Sequence, residues 1–387
     1  MLIWVIILNI DDKEFEKRNI ERTPVIMLWR TDKGLKAVDF LAKKMKKIWL
    51  MLSSLAVLIS IPIMIFVVYK LAESASDILT MPETPPGLAP AIPGVKVPGS
   101  PIFIPLWYGI VALVTVLIAH EIMHAIVART EGLNVKSLGV LFVTFIPLGA
   151  FAEPDEEELG GRPLMAKLRV YAAGSFGNFL LAILAMLLTS TLIVPLMFQP
   201  DHINITYVFP DTPAEAYGIK ENTTLISING VRIRSSEEFW DVAKRLKPNE
   251  KVTVVTSGGR TELITAKRPE EKISWWEMLL GRKEAGERGY VGIVILPVLA
   301  VNPSASAVLG EAFPWIVVRQ LYWIFLLNFF IGITNLLPIF PLDGGRIFEE
   351  IAKKVSPRSA RHITNMMFAL VLVLVFINIS PFLKIIF

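Results

Sequence analysis

The sequence predicts an α-helical polytopic membrane protein with about five transmembrane helices, a re-entrant β-hairpin and a compact α+β domain outside the membrane. Hydrophobic residues make up 53% of the 387 residues and charged residues only 19%, whereas soluble globular proteins carry about 25% charged residues. Several uncharged apolar runs reach the roughly 20 residues that a helix needs to cross the hydrocarbon core. This composition argues against a water-soluble enzyme, a coiled coil and a disordered chain.

The composition also limits the cofactors and partners. The chain contains no cysteine and only four histidines, so a bound metal has to be held by histidine, aspartate or glutamate side chains. The formal net charge is +4. In a membrane protein we attribute this charge to basic cytoplasmic loops and not to nucleic-acid binding.

The predicted segments follow one another along the chain. In order they are an N-terminal segment (1–47), a first span (48–70), a Pro-rich loop (71–101), a second span (102–128), a membrane-embedded β-hairpin (136–153), a third span (168–198), the α+β domain (201–270), an interfacial connector (271–311), a fourth span (314–337), an LDGG segment (338–346) and a fifth span (362–384). Within them, residues 1–9 are predicted to form an edge strand or interfacial segment, and the amphipathic residues 273–280 to lie on the membrane surface.

The distribution of basic residues predicts the orientation of the chain in the cell membrane. Four lysines lie between residues 43 and 47, directly before the first span, whereas the Pro-rich loop carries only Lys96. Because lysine and arginine are enriched on the cytoplasmic side, the N-terminal segment is expected in the cytoplasm and the Pro-rich loop outside. The α+β domain is then external.

The second span contains the motif HEIMH, which places three polar side chains inside an apolar helix. His120 and His124 are one helical turn apart on the same face, whereas Glu121 points about 100° away. The histidines therefore suit zinc ligation, and Glu121 suits removal of a proton from a zinc-bound water. In a soluble helix such a motif often arises by chance. In a membrane span, three polar groups without a purpose would be costly.

A catalytic zinc needs a third protein ligand. Asp343, in NLLPIFPLDGG, is favoured because it lies on the same predicted side of the membrane as the two histidines. His362 and Glu153 remain open as alternatives, whereas His202 lies at the opposite end of the third span. If Asp343 binds no metal, we expect it to cap a helix or to pair with Arg346.

HEIMH, the distant NLLPIFPLDGG and the intervening AGSFGN together resemble the site-2 proteases, which are zinc intramembrane metalloproteases. The resemblance implies that His120, His124 and Asp343 bind one zinc ion and that Glu121 is the catalytic base. It also implies that Asn178 helps to hold substrate or the developing oxyanion, and that Asn335 contacts substrate. The segment ending in PLGAFAEP resembles the membrane-embedded β-hairpin of the same family.

The segment 201–270 resembles a PDZ domain of the bacterial, rearranged type. It contains a strand-like INITYVF, a short helix opened by Pro213, the strand-turn-strand LISINGVRI and an amphipathic helix in SSEEFWDVAKRL. The resemblance implies that a peptide terminus binds by adding a strand to a sheet edge. The alternative is a structural cap that binds nothing.

These features predict a zinc-dependent intramembrane endopeptidase that cleaves the transmembrane segments of membrane-anchored, single-span proteins, as in regulated intramembrane proteolysis. One alternative is an ion or metal transporter that uses the intramembrane His/Glu/Asp cluster, which would show a repeat between the two halves of the chain. The other is an inactive scaffold whose PDZ-like domain binds protein tails.

Overall fold

The computed structural model describes residues 19–23, 26–31, 34–81, 84–97, 100, 102–143, 146–267 and 288–386. The chain divides into two compact units. The first combines residues 1–189 with residues 317–387, and the second contains residues 190–316. The predictions for residues 1–9 and 273–280 lie outside the described residues.

In the part of the chain that the structure describes, five helices are long and apolar enough to cross a membrane. They are Lys46–Thr80, Leu106–Thr130, Leu164–Met197, Ala312–Thr334 and Ala360–Phe382. Five spans were predicted, and this number is confirmed. The first helix is longer than predicted because residues 71–80, assigned from the sequence to the Pro-rich loop, continue it as far as Thr80. The Lys70–Glu73 ion pair joins the end of the predicted span to this extension at helical spacing.

The helices that lie wholly or mainly in the first unit pack through several clusters of buried apolar side chains. They are α1 (Leu35–Lys44), α2 (Lys46–Thr80), α3 (Leu106–Thr130), α4 (Glu156–Gly160), α5 (Leu164–Leu187), α10 (Ala312–Thr334), α11 (Asp343–Val355) and α12 (Ala360–Ile386). Helix α5 lies among them and packs on α2 and α11 through the buried Leu168, Ala172 and Ile347. Its small residues Ala173 and Gly177 face α3, and small residues of this kind allow membrane helices to approach closely.

The predicted hairpin is present as two antiparallel strands, β3 (Val135–Val143) and β4 (Ile146–Pro154). Its depth in the membrane stays a prediction. The N-terminal segment adds two further strands, β1 (Ile20–Arg22) and β2 (Ile26–Thr31), so the sheet has the order β1-β2-β3-β4. These two strands were not predicted from the sequence. Within the described residues, β2 covers one edge of the hairpin and β4 ends the sheet on the other side.

The second unit contains most of the insert between the third and fourth spans. Leu188–Ile193 form a π-helical turn, followed by α6 (Val194–Met197), β5 (Phe198–Val208), α7 (Pro213–Ala216), β6 (Thr223–Ile228), β7 (Val231–Arg232), α8 (Ser236–Ala243), β8 (Lys251–Thr256), β9 (Gly259–Ile264), β10 (Ala266–Lys267), β11 (Gly289–Tyr290), β12 (Ile293–Val301) and α9 (Pro303–Leu309).

The main sheet of the second unit has the order β12-β5-β6-β8-β9, with β7 paired to β6. The prediction of an interfacial connector over residues 271–311 is wrong for residues 293–301. These residues form strand β12, which extends the sheet beside β5. The β-branched run that begins at Ile293 favours this strand. The core beneath the sheet contains the fully buried Ile203, Leu225 and Val252.

Candidate active site

The two histidines of the HEIMH motif and Asp343 form one cluster. The Nε2 atoms of His120 and His124 are 3.2 Å apart. Asp343 Oδ2 lies 3.2 Å from the first of these nitrogens and 3.3 Å from the second. The three donor atoms therefore form a nearly equilateral triangle, contributed by α3 and by the first residue of α11. Each side chain exposes only 12 or 13% of its surface.

This triangle has the dimensions of a zinc site. In a regular tetrahedron the distance between two corners is about 1.6 times the distance from the centre to a corner, so these separations place an ion about 2.0 Å from each donor, which is the usual Zn–N and Zn–O bond length. In the described part of the chain, Asp343 Oδ2 is buried and has no hydrogen-bond donor. Two imidazoles and one carboxylate leave a fourth position open, as catalytic zinc sites do.

Both imidazoles are oriented by helix α5. His124 Nδ1 lies 2.7 Å from the carbonyl oxygen of Val170 and donates its proton there, which leaves Nε2 free to bind metal. His120 Nδ1 lies 3.3 Å from the side-chain amide of Asn178. Ligation through His120 Nε2 requires a proton on Nδ1, and this proton finds its acceptor in the Asn178 amide oxygen after a 180° rotation of the amide group. Asn178 is fully buried. Its position favours orientation of His120 over the predicted contact with substrate.

Gly174 leaves room for the histidine pair. It lies on α5 one turn after Val170 and one turn before Asn178. A methyl group at this position would overlap the ring atoms of both His120 and His124. Only glycine therefore allows α5 to pass this close to the site.

The LDGG segment places Asp343 by close backbone packing. The Gly344 amide donates a hydrogen bond to the Asn335 carbonyl oxygen at 2.8 Å. A side chain at Gly344 would overlap the Leu336 backbone, and one at Gly345 would overlap the Ile339 backbone. The two glycines thus bring the start of α11 against the end of α10, which fixes the carboxylate near the imidazoles.

Glu121 lies beside the metal-ligand cluster without belonging to it. Its Oε2 accepts a hydrogen bond from the backbone amide of Ala152 on β4, at 2.7 Å. Glu121 lines a cavity of about 740 Å³ together with His120, His124 and Asp343. One carboxylate oxygen is thus anchored to the hairpin, and the group faces the space next to the three donor atoms.

The mouth of this cavity is rich in carboxylates, which are contributed by Glu153 and by the residues that open α4. Asp155 caps α4 by accepting hydrogen bonds from the Glu157 and Glu158 amides, and it pairs with Lys136 at 3.1 Å. The hydrogen bond from the Glu158 amide and the pairing with Lys136 hold the pKa of Asp155 below its usual value. The same pair raises the pKa of Lys136.

The other predicted site residues have different surroundings. Asn335 lines the cavity, as a substrate contact requires. Glu153 also lines it, but its carboxylate accepts a hydrogen bond from Ser137 at 2.8 Å. Neither Glu153 nor His362 belongs to the metal-ligand cluster in the described part of the chain. His202 lies in the second unit and pairs with Asp201 at 2.8 Å.

The supporting residues Val170 and Ala152 were not predicted from the sequence. Both act through backbone atoms, a carbonyl oxygen for His124 and an amide for Glu121. Backbone contacts of this kind leave no side-chain signature. Gly174 lies within the AGSFGN motif, which was recognised from the sequence. The space that this glycine leaves for the two histidines was not predicted.

The family model of peptidase family M50 matches residues 108–377, which include every residue of this cluster. The chain belongs to peptidase family M50. An uncharacterized protein of Methanocaldococcus jannaschii is 25% identical over 94% of this chain and 87% of its own length. A membrane-bound transcription factor site-2 protease homolog of Arabidopsis thaliana is 26% identical over 42% of this chain and 31% of its own length.

A probable protease of Enterococcus faecalis is 25% identical, over 57% of this M50 chain and 60% of its own length. Family membership confirms the resemblance to site-2 proteases, and the protein is a multi-pass membrane metalloendopeptidase of this type with zinc as its metal. These findings give no support to the transporter alternative. A 64-residue stretch is also 42% identical to the serine protease HTRA1B of Danio rerio.

Proposed function

We propose that the protein hydrolyses peptide bonds within the transmembrane segments of membrane-anchored, single-span proteins. The observation that carries this proposal is the convergence of His120, His124 and Asp343 around one ion-sized space in a helix bundle, with Glu121 at its side. His120 and His124 lie on a helix that is long and apolar enough to span a membrane, which favours substrates that are themselves in the membrane. By the distribution of basic residues, the site lies toward the cytoplasmic side and the insert outside.

When bound, zinc supplies a Lewis acid that polarises the substrate carbonyl and increases the acidity of water. Glu121 accepts the proton of the attacking water and later delivers it to the leaving amine. The Ala152 amide keeps one Glu121 oxygen in place, so the other is available for the proton. Asn178 holds His120 in its ligating orientation, and Asn335 contacts the substrate from the cavity wall.

Strand β4 offers the edge on which an unwound substrate segment pairs. The Ala152 amide points away from β3, toward Glu121. Because backbone amides alternate along a strand, other amides of β4 point outward on the same side. A helical substrate hides its amides in its own hydrogen bonds and has to unwind before attack. Pairing with β4 satisfies the freed groups and brings the carbonyl next to Glu121.

The proposed cleavage is tested with purified, zinc-loaded protein in lipid vesicles and a panel of single-span substrates labelled at both ends. Mass spectrometry then locates the new termini. We expect cuts inside the membrane segment of the substrate and none after removal of zinc by a chelator. Cleavage that is confined to soluble loops, or that survives complete zinc removal, contradicts the proposal.

The insert provides a second binding surface. A groove in the second unit lies between α8 and the start of β12, and Trp240, Ala243 and Val291 are among the residues that line it. We infer that this groove captures the terminus of an extended peptide, as a PDZ-like domain does.

Replacing Trp240 with Ala in the full-length protein tests the groove. Trp240 is half exposed, so its loss removes contact area from the groove without emptying the core. We expect about tenfold weaker binding of peptides with a free terminus, because aromatic side chains dominate such interfaces. Tyr207→Ala removes a similarly exposed aromatic ring that does not line the groove, and it is expected to leave binding unchanged. If the unaltered protein, Trp240→Ala and Tyr207→Ala bind these peptides with equal affinity, the groove does not capture peptides and the insert is a structural cap.

A further inference from the structure

Arg346 is a cation in the catalytic cavity that has no ion-pair partner in the described part of the chain. Its guanidinium carbon lies 5.6 Å from the centre of the Tyr171 ring. This distance is within the range of a cation–π contact, which fixes the position of the group without neutralising its charge. Both residues line the cavity that contains the zinc ligands.

Two basic side chains near Arg346 and Tyr171 in the described part of the chain have ion-pair partners: Lys136 also lines the cavity, and Lys167 lies one helical turn before Tyr171 on α5. Lys136 pairs with Asp155 at 3.1 Å, and Lys167 pairs with Glu350 at 3.0 Å. Arg346 follows Asp343 by one turn on the same side of α11. Asp343 nevertheless faces the two imidazoles, so it is not the partner of Arg346 that the sequence suggested as one alternative.

One anion is produced in this cavity at every turnover, if the proposed peptide hydrolysis holds. The oxygen of water bonds to the carbonyl carbon, the C–N bond breaks, and Glu121 passes the first water proton to the amine. The second proton dissociates at neutral pH because a terminal carboxyl group has a pKa of about 3.5. The new carboxylate arises beside Glu121 and the acidic mouth. These like charges disfavour it except beside a cation. Apart from the zinc ion that the cluster would hold, Arg346 is the cation of this cavity without an ion-pair partner in the described part of the chain.

We propose that Arg346, held against Tyr171, is the subsite that binds the new C-terminal carboxylate of the cleaved product. A guanidinium group is suited to this role because it forms two parallel hydrogen bonds to a carboxylate. The uncut substrate has no carboxylate at this point. Arg346 therefore acts on the product and its release, and not on initial substrate binding.

The test compares two synthetic peptides that end at the mapped cut site, identical except for a free C-terminal carboxylate or an amide. Their affinities are measured for full-length, zinc-loaded Glu121→Gln protein, in which turnover is expected to be about a thousandfold slower. Adding Arg346→Gln is expected to lower the preference for the carboxylate about tenfold, the size of a lost charge-assisted hydrogen bond. The zinc contribution is the same in both proteins, so the change reports on Arg346 alone.

Two variants serve as matched controls. Arg358→Gln removes an arginine from an exposed position outside the cavity and is expected to leave the preference unchanged. Tyr171→Phe keeps the aromatic ring and is expected to keep the preference, whereas Tyr171→Leu lowers it. If Arg346→Gln loses zinc, the proposal is tested by comparing the carboxylate preference of Tyr171→Phe with that of Tyr171→Leu.

An unchanged carboxylate preference in zinc-loaded Arg346→Gln overturns the proposal. A second outcome also overturns it. If Arg346→Gln, measured with Glu121 present, raises KM for intact substrate but leaves the carboxylate preference unchanged, Arg346 binds uncut substrate and not the product. These outcomes are distinct from failure of the proposed function, in which the unaltered protein cleaves no membrane segment at all.

Discussion

Replacing Glu121 with Gln is expected to lower the cleavage rate about a thousandfold while zinc stays bound. Glutamine keeps the size of the side chain but cannot accept the proton of the attacking water, and general acid–base catalysis contributes typically 10²–10⁴-fold. Glu121 is outside the ligand cluster, so the substitution removes none of the three donor atoms. The rate is measured from the appearance of the new substrate termini, and zinc by elemental analysis of the same sample.

The matched control for this variant is Glu157→Gln, which removes an exposed carboxylate at the mouth of the same cavity. It is expected to retain most of the activity. Zinc-loaded Glu121→Gln that cleaves at the unaltered rate would show that another group accepts the proton.

Gly174→Ala is expected to weaken zinc binding by about a hundredfold or more, although residue 174 contacts no metal. Changes in the groups that surround a metal ligand typically cost 10–100-fold in affinity. The added methyl group would overlap the ring atoms of both histidines, so at least one of them has to leave its ligating position. Zinc affinity is measured by competition with a chelator of known affinity.

Gly160→Ala is the control, because a methyl group at that helical glycine meets no atom within 4 Å. It is expected to bind zinc as tightly as the unaltered protein. Equal zinc affinity in Gly174→Ala would mean that α5 does not lie against the two histidines.

The features that the sequence predicted are those carried by side-chain chemistry. HEIMH placed two imidazoles on one helix face, and the polar Asp343 stood out at the end of an apolar run. The structure brings these groups within 3.3 Å of one another, although they are more than 200 residues apart in the chain. The number of spans was also predictable, because the membrane imposes a minimum length on each apolar run.

The features that escaped prediction depend on pairing between distant backbone segments. Strand β2 pairs with β3 across more than 100 residues, and β12 joins β5 from a region that looked like a connector. The sequence of a short strand does not identify the strand with which it pairs, because backbone hydrogen bonds are the same for every residue type except proline. The helical extension to Thr80 was missed for a different reason, since charged residues end a hydrophobic run without ending a helix.

The zinc content of the purified Asp343→Ala protein tests the central claim most directly. Removing one of three protein ligands is expected to reduce zinc from one ion per chain to a small fraction, while Glu153→Ala and His362→Ala keep one ion per chain. The side chains of Glu153 and His362 lie outside the cluster of donor atoms in the described part of the chain. One zinc ion per chain in Asp343→Ala, together with loss of zinc from Glu153→Ala or His362→Ala, would contradict this account of the site.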